Sequence, residues 1–504
     1  MKKKLTSLLL AMLMLTSTVA CSNPGSGDET ETTRETIAPV DTSNIDMDSL
    51  TDYERRQLIS DELPVDTYGG RSFRVMTYDT KYGDASYEIL SEDINGDGCN
   101  DAIYNRNLDI EKRFDVKIQC QTDPEPHITI NNLVTAGTDD YDLIGMYNFI
   151  VYSPINVNSA YNWLEVPYVN QEKPWHNSLA NGNATLNNRL YSMCSDLAVS
   201  SMTYTYAIFF NIGLATNNGW SSRDLYTLVD DGEWTIDKLI EITTNMYENV
   251  NGNDVRDAED VYGFGYYISN PADVWLAAFN QPICRINEGK EIEVTFMGEK
   301  TISILEKLLD YQENNPGFRK LTAASNVQYD EEKLFVDKKL VMAPLRFYAA
   351  YNTLPSMDAE YSILPFPKWD TTQDKYYTNA DDKFTAFVIP TTAYKQVDFI
   401  GVIYEALCAE TYKTVYPEYY DGALKGRYSA EPETAEMIDL IMTGRNFDFS
   451  FQFGQSYFLN LPYLMRDMLM NNNSSLNSEY KKISKKLGKN IENEIYPLYG
   501  IEID

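Results

Sequence analysis

The sequence predicts an α/β protein, and three stretches carry that prediction. Residues 73–120 read as strand, helix and strand: a strand from Phe73 to Tyr78, then Ile103, Ile110 and Phe114 at helical spacing, then Val116, Ile118 and Cys120 in alternation. Residues 189–220 hold two β-branched and aromatic runs, 190–193 and 203–211, divided by small residues and followed by a Gly- and Asn-rich start of a helix. Residues 340–343, Leu-Val-Met-Ala, follow two helical patterns at 302–311 and 330–337, as a strand buried on both faces would.

A chain of 504 residues with 43 % hydrophobic content is long enough for two or three domains and can bury a large core. Its net charge of −33 excludes a nucleic-acid partner, because no basic surface is left to displace counterions from phosphates. The 38 tyrosines suit both buried sheets and wet clefts, since each ring has an apolar body and a polar tip.

The first residues state a compartment. Lys2, Lys3 and Lys4 precede an apolar run at 5–15, and small residues then lead to Thr18-Val19-Ala20 before Cys21, so 1–20 reads as an export signal. The run is too short to span a bilayer. The pattern around Cys21 resembles the bacterial lipoprotein cleavage site, with Thr18 where Leu is usual. That resemblance implies acylation of Cys21 and residence on the outer face of the cytoplasmic membrane of a Gram-positive bacterium, held by the lipid anchor alone. Residues 21–70 are expected to form a disordered tether, because 22–50 offers almost nothing large and apolar to bury. Such a coil reaches on the order of 40 Å. The remaining cysteines, Cys99, Cys120, Cys194, Cys284 and Cys408, are odd in number and lack paired spacing, so free thiols are expected.

After the first strand-helix-strand unit comes a strand at 141–146. Ligands of open α/β sheets lie at the carboxyl ends of strands, which places Tyr147 and Asn148 at a cleft edge. Further on, Thr235 stands as N-cap of an amphipathic helix bearing Ile236, Leu239, Ile240, Thr243, Tyr247 and Val250. An ordered series of segments resembles the extracellular solute-binding proteins that feed ABC importers, in particular the family 1, clostridial-type carbohydrate-binding lipoproteins. It comprises NDAIYNRN at 100–107, YDL at 141–143, Lys173-Pro174-Trp175-His176, and the run at 203–211 ending Phe209-Phe210-Asn211. It continues with Gly232-Glu233-Trp234-Thr235, YGFG at 262–265, the strand at 340–343, the paired runs at 361–368 and 384–390, and VYPEYY at 415–420. His176 stands where that family commonly has a second tryptophan.

The resemblance implies a two-lobe, type II periplasmic-binding-protein-like fold, each lobe a mixed sheet flanked by helices, with a hinge between them. The expected division is 71–196 and 344–392 for the first lobe and 197–343 and 393–504 for the second, crossing near Asp196, Pro344 and Thr392. It also implies a monomeric receptor that closes on a small-molecule ligand, an oligosaccharide by family, and hands it to permease subunits. Ligand contacts must then come from strand ends and crossings of both lobes. The candidates are Tyr147, Asn148, Trp175, Tyr204, Trp275, Arg346, Phe347, Tyr348 and Asp381, with Trp275 and Arg346 foremost.

Asn249, Asn251, Asn253, Val255, Asp257 and Asp260 follow the spacing of a calcium loop and resemble one carried by family members, so structural calcium is the one cofactor to test. Asn replaces Asp at the first and fifth positions. The acidic loop at Asp93, Asn95, Asp97 and Asp101 is read instead as a tight turn before a helix. With two histidines, no G-x-S-x-G and no phosphate-cradling glycine loop, the chain carries no recognisable catalytic set. A glycoside hydrolase could hide its two acids among so many carboxylates. A receptor for a peptide or other polar solute, and a surface sensor or adhesion module, are the remaining alternatives.

Overall fold

A computed structural model describes residues 36–43, 45–80, 83–151, 157–253, 255–321, 331–427 and 431–502. The expected export signal at 1–20 and Cys21 lie outside the described residues. The chain from Ile37 onward packs as one compact unit; of the separate unit Met1–Thr36, only Thr36 is described.

Two mixed, five-stranded sheets divide the α/β body into two lobes. In the first, β1 (Arg71–Thr80) pairs in parallel with β2 (Val116–Asp123) and β3 (Leu143–Tyr147), and the short Gly83–Asp84 strand returns along its end. In the second, β4 (Tyr206–Asn211), β5 (Tyr262–Tyr267), β6 (Phe318–Leu321), β7 (Leu340–Arg346) and β8 (Tyr361–Leu364) lie in the order β8-β4-β7-β5-β6. The chain then rejoins the first sheet as β9 (Thr385–Val388), antiparallel to β3.

Local chemistry explains the elements. The helix Gly98–Phe114 starts where the Asp97 carboxylate accepts the Asn100 N–H at 3.0 Å, and it buries Ile103, Ile110 and Phe114. Each such side chain contributes about 1.5–3 kcal/mol on burial. Asp101 accepts the backbone N–H groups of Asn95 and Gly96, so the preceding acidic loop is the tight turn expected. Thr235 caps the helix Ile236–Thr244 through the Lys238 N–H, but the apolar stripe ends at Thr243, and Val250 is exposed beyond the helix. Pro344 is tolerated in the middle of a sheet because β7 pairs with β5 only as far as Met342, so its missing N–H interrupts no ladder on that side.

Several expected boundaries move. Pro344 is not a crossing: it pairs with Ile208 inside the second sheet, and β8 also belongs there, against β4. The return to the first lobe falls between Leu364 and Thr385. Thr392 is not a crossing either, because the helix Val397–Glu410 buries Phe399, Ile403 and Leu407 in the first lobe against Phe73 and Phe387. The chain rejoins the second lobe only where Tyr420 and Leu424 pack with Phe209 and Tyr361. An apolar run shows that a strand or helix is buried, not which sheet buries it.

The expected tether is likewise shorter. Thr51 and Glu54 close a capping box on the helix Asp52–Gln57, Arg56 lies over the rings of Tyr412 and Tyr416, Leu63 is buried, and Asp61 pairs with Arg113 at 2.5 Å. The expected disorder therefore does not extend over residues 45–70. Cys120, Cys194, Cys284 and Cys408 carry free thiols, the last three of them buried. Among the described residues no helix is long and apolar enough to cross a membrane.

Candidate ligand-binding site

The strand ends of both lobes converge beside the crossings. In the first lobe β3 ends at Tyr147, whose ring packs on Tyr78 at 3.8 Å between centroids and on Phe149 at 5.6 Å; its hydroxyl meets Thr80 Oγ1 at 2.8 Å. From the second lobe β7 delivers Arg346 and then Tyr348, and the first crossing delivers Tyr204. The Arg346 guanidinium lies 4.8 Å from the centre of the Tyr204 ring, which meets Tyr348 edge-on at 5.7 Å. The hydroxyls of Tyr147 and Tyr204 both lie 3.7 Å from where a Cβ on Gly83 would stand. Gly83 has φ +154, a conformation that favours glycine.

Asp381, on the second crossing, ties these parts together. Its N–H donates to the Tyr204 carbonyl at 2.9 Å. Its carboxylate accepts from Tyr206 Oη at 3.2 Å and Asn270 Nδ2 at 2.9 Å, and sits 3.6 Å from Arg346. Asn270 in turn accepts from Arg466 at 3.0 Å, and Arg466 pairs with Asp273 at 2.9 Å. Burial alone would push the Asp381 carboxyl up, but Lys383, Arg346 and the Asn270 amide outweigh it and hold it below the usual carboxylate range. The next residue behaves oppositely: burial, with the charge of Asp381 beside it, raises Asp382 to about 7. Its carboxylate accepts the Tyr463 hydroxyl at 2.6 Å. Burial opposes the charge on Arg346, yet Tyr206, Asp381 and Tyr204 together keep the guanidinium firmly protonated. Arg346 remains a quarter exposed, so a charged donor with aromatic neighbours stays within reach of solvent.

Beside this cluster, and sharing Asn148 and Asp382 with the surrounding crossings, lies a cavity with about 780 Å³ of empty space, counting the part open to solvent. The first lobe contributes Asn148, Asn181 and Phe384, the second Asp273 and Leu276, and the C-terminal segment Phe447, Asp448 and Gln452.

Of the nine expected contacts, the structure gathers Tyr147, Tyr204, Arg346, Tyr348 and Asp381 into one cluster and sets Asn148 in the adjoining cavity. It places the other three in the core. Trp275 has no exposed surface: its indole N–H donates to Tyr266 Oη at 2.8 Å and its ring packs on Phe279 and Phe366. Trp175 is equally buried, its indole N–H on Glu405 Oε1 at 3.0 Å, and Glu405 also meets His176 Nε2 at 2.7 Å. Phe347 packs with Phe335 and Leu345. A large ring whose polar atom is satisfied internally gains most from burial and presents no face to a ligand.

Sequence reasoning missed Tyr78, Phe149, Asn270, Asp273, Asp382, Tyr463 and Arg466. Asp382 adjoins a chosen residue and Asn270 opens the turn before Trp275; nothing local in the sequence marks Tyr463 or Arg466. The residues of the expected calcium loop do not fit the ion. Asn251 and Asn253 turn their N–H groups to Asp257, at 3.0 and 2.7 Å, while Asp260 faces away toward Tyr247 Oη and the Val250 N–H. Among the described residues no group of three or more acidic, His or Cys side chains is placed to hold a metal ion.

No protein-family profile matches the chain, and no curated protein sequence matches it significantly. Solved structures do match, with the two-lobe architecture in common. The fold is that of the extracellular solute-binding proteins. A solute-binding protein from Thermotoga lettingae bound with α-D-tagatose aligns at TM-score 0.51 and 11 % identity, over 86 % of this chain and 100 % of its own. The ABC substrate-binding protein Lmo0181 from Listeria monocytogenes, in complex with cycloalternan, aligns at 0.51 and 12 %, over 84 % and 99 %. The maltose/maltodextrin-binding domain MalE from Bdellovibrio bacteriovorus, bound to maltotriose, aligns at 0.53 and 10 %, over 84 % and 100 %. At such identities the likeness is one of fold.

Proposed function

We propose that this chain is the exported, lipid-anchored substrate-binding subunit of an ABC importer, and that it captures a carbohydrate by closing its two lobes. The observation that carries the reading is the meeting of both lobes at Asp381. A ligand touching Tyr147 on one side and Tyr204, Arg346 or Tyr348 on the other would favour the closed form by bridging them. Sugars present apolar C–H faces and many hydroxyls, which suits aromatic rings interleaved with Asn, Asp and Arg. The ligands bound in the similar structures, tagatose, cycloalternan and maltotriose, support the same class. Anchoring would run through Cys21, with permease subunits as partners and a monomer as the working form. Nothing in the cluster calls for bond cleavage, so the ligand would be released unaltered.

The test is a thermal-shift screen of mono- and oligosaccharides alongside peptides, with small-angle scattering on every hit and chromatography of the ligand afterwards. A stabilising saccharide that compacts the protein and emerges unchanged is expected. Product formation would favour a hydrolase. Stabilisation by peptides alone would move the ligand class, and a scattering profile indifferent to every stabilising ligand would favour an adhesion module.

A further inference from the structure

A net charge of −33 still leaves the protein one basic face. The helix Leu476–Asn490 carries five lysines, Lys481, Lys482, Lys485, Lys486 and Lys489, against one acid, Glu479. No stretch of that length elsewhere in the chain holds five cationic residues. At about 100° per residue the lysines fall within an arc of about 140° on one side of the helix. Leu476, Tyr480, Ile483 and Leu487 occupy the opposite side and pack into the core, with the Tyr480 ring 5.9 Å from that of Phe296 in the second lobe.

All five lysines are exposed. Lys482 meets Glu479 at 2.6 Å, and among the described residues none of the other four pairs with an acidic side chain. The acids that follow, Glu492 and Glu494, lie past the helix in the turn Ile491–Ile495, and Glu494 is engaged by the Tyr457 hydroxyl. The helix dipole accounts for a cation only in the last turn, where Lys489 stands. Solubility does not call for lysine either, since carboxylates serve that purpose in a chain with 75 acidic residues against 42 basic ones.

The shape of this face selects its partner. The helix is about 22 Å long, and its lysines stand along a convex outer side that cannot enclose a small anion. An extended anionic surface can meet all five at once. Because the apolar side is already buried in the protein, such a contact is one of charge without insertion. The expected anchor at Cys21 precedes the packed helix Asp52–Gln57 by about thirty residues, a length that keeps the body within reach of headgroups. The remainder of so acidic a body is repelled by anionic lipid, so this face favours a single orientation. We propose that the helix Leu476–Asn490 docks the second lobe on the headgroups of anionic phospholipids through its lysine face. This goes beyond the receptor reading and rests on it only for placement at a membrane.

The experiment is flotation of the mature chain, residues 22–504 without lipid, with vesicles of phosphatidylglycerol and phosphatidylcholine in equal parts or of phosphatidylcholine alone. Binding to the anionic vesicles at least about fivefold above the neutral ones is expected, and it should fall away as salt is raised, because the screening length shrinks. The combined variant Lys481→Gln, Lys482→Gln, Lys485→Gln and Lys486→Gln keeps nearly the same helix propensity and is expected to float no better than with neutral vesicles. The corresponding Lys→Arg set is expected to float as the unmodified chain does. Amine-reactive labelling of the unmodified chain, read by mass spectrometry, should show these lysines protected on anionic vesicles, which decides the matter even where the Gln set fails to fold. Absence of flotation, flotation undiminished in a folded Gln set, or labelling unchanged by vesicles overturns the inference. A soluble polyglycerol phosphate, or a second copy of the chain, that engages these lysines while the vesicles do not overturns it as well, in favour of that partner. Saccharide affinity is expected to be the same in the Gln set. The receptor reading falls only if no solute closes the lobes, so the two failures are distinguishable.

Discussion

Trp275 was the foremost aromatic candidate for the cleft, and its placement makes a quantitative prediction about Trp275→Ala. The ring has no exposed surface and is packed by Phe279 at 5.5 Å, Phe366 at 5.2 Å and Phe264 at 6.3 Å between centroids. Truncating a core tryptophan costs about 3–5 kcal/mol, because transfer energy is lost and the walls relax only partly over the cavity. The substitution also strips the buried Tyr266 hydroxyl of its 2.8 Å donor. An unpaired buried hydroxyl adds about 1–3 kcal/mol unless it finds another partner. The second lobe should therefore lose most of its margin, since whole domains are stable by only about 5–15 kcal/mol. The assay is urea unfolding followed by far-ultraviolet circular dichroism, paired with ligand titration at low temperature where the variant is still folded. A large fall in the unfolding midpoint with affinity within about threefold of wild type, under about 0.7 kcal/mol, is expected. An unchanged midpoint with affinity reduced tenfold would refute the assignment and return Trp275 to the cleft.

Arg346→Ala should do the reverse, weakening a bound ligand at least tenfold, about 1.4 kcal/mol, with a smaller change in midpoint; titration with the best hit of the saccharide screen checks it. Glu88 offers a pH test. Its carboxylate accepts from the Ser200 N–H at 2.7 Å and from Thr385 Oγ1 at 2.5 Å, and burial raises it from 4.5 to about 7. A folded carboxyl raised above its unfolded value binds the proton more tightly in the native state. Its contribution is therefore intact below about pH 4.5 and is lost as pH rises to about 7, on the order of 3 kcal/mol. Glu88→Gln should flatten the fall in stability across that window, measured by denaturation at stepped pH; an unchanged slope would mean that Glu88 does not titrate there. Cys21→Ala should release the protein from membranes into the medium with ligand affinity unchanged, read by fractionation and titration; retention on the membrane would argue against the anchor.

How much of this was legible depended on whether the signal is local. The helix from Gly98 and the cap at Thr235 were readable because a capping side chain and a periodic apolar face lie within a few residues of each other. Tyr147 and Arg346 were readable as strand-end residues because each closes an unmistakable apolar run. Trp175, Trp275 and Phe347 were misassigned because an aromatic near a strand end serves core and cleft equally well. Whether its ring faces Phe279 or a ligand depends on helices far away in the chain. Arg466 and Tyr463 were not readable at all: they reach Asn270 and Asp382 only after the C-terminal segment has folded back across the second lobe.

The sequence alone determined the alternation of strands and helices and the strongly acidic net charge, since each depends on composition or on neighbours within about a turn or two of the chain. Only the tertiary structure decided which sheet each strand joins. β8 reads as a strand in either lobe, and its hydrogen bonds to β4 rather than β3 place it in the second. Only it decided, too, that Asp381 rather than a tryptophan is the hub. A carboxylate is indistinguishable in sequence from the dozens of others in so acidic a chain until Arg346, Asn270 and Tyr206, each remote from it along the chain, are folded around it. Strand formation is a property of short-range pattern, whereas sheet membership and the pairing of buried charge depend on contacts whose partners the chain brings together only on folding.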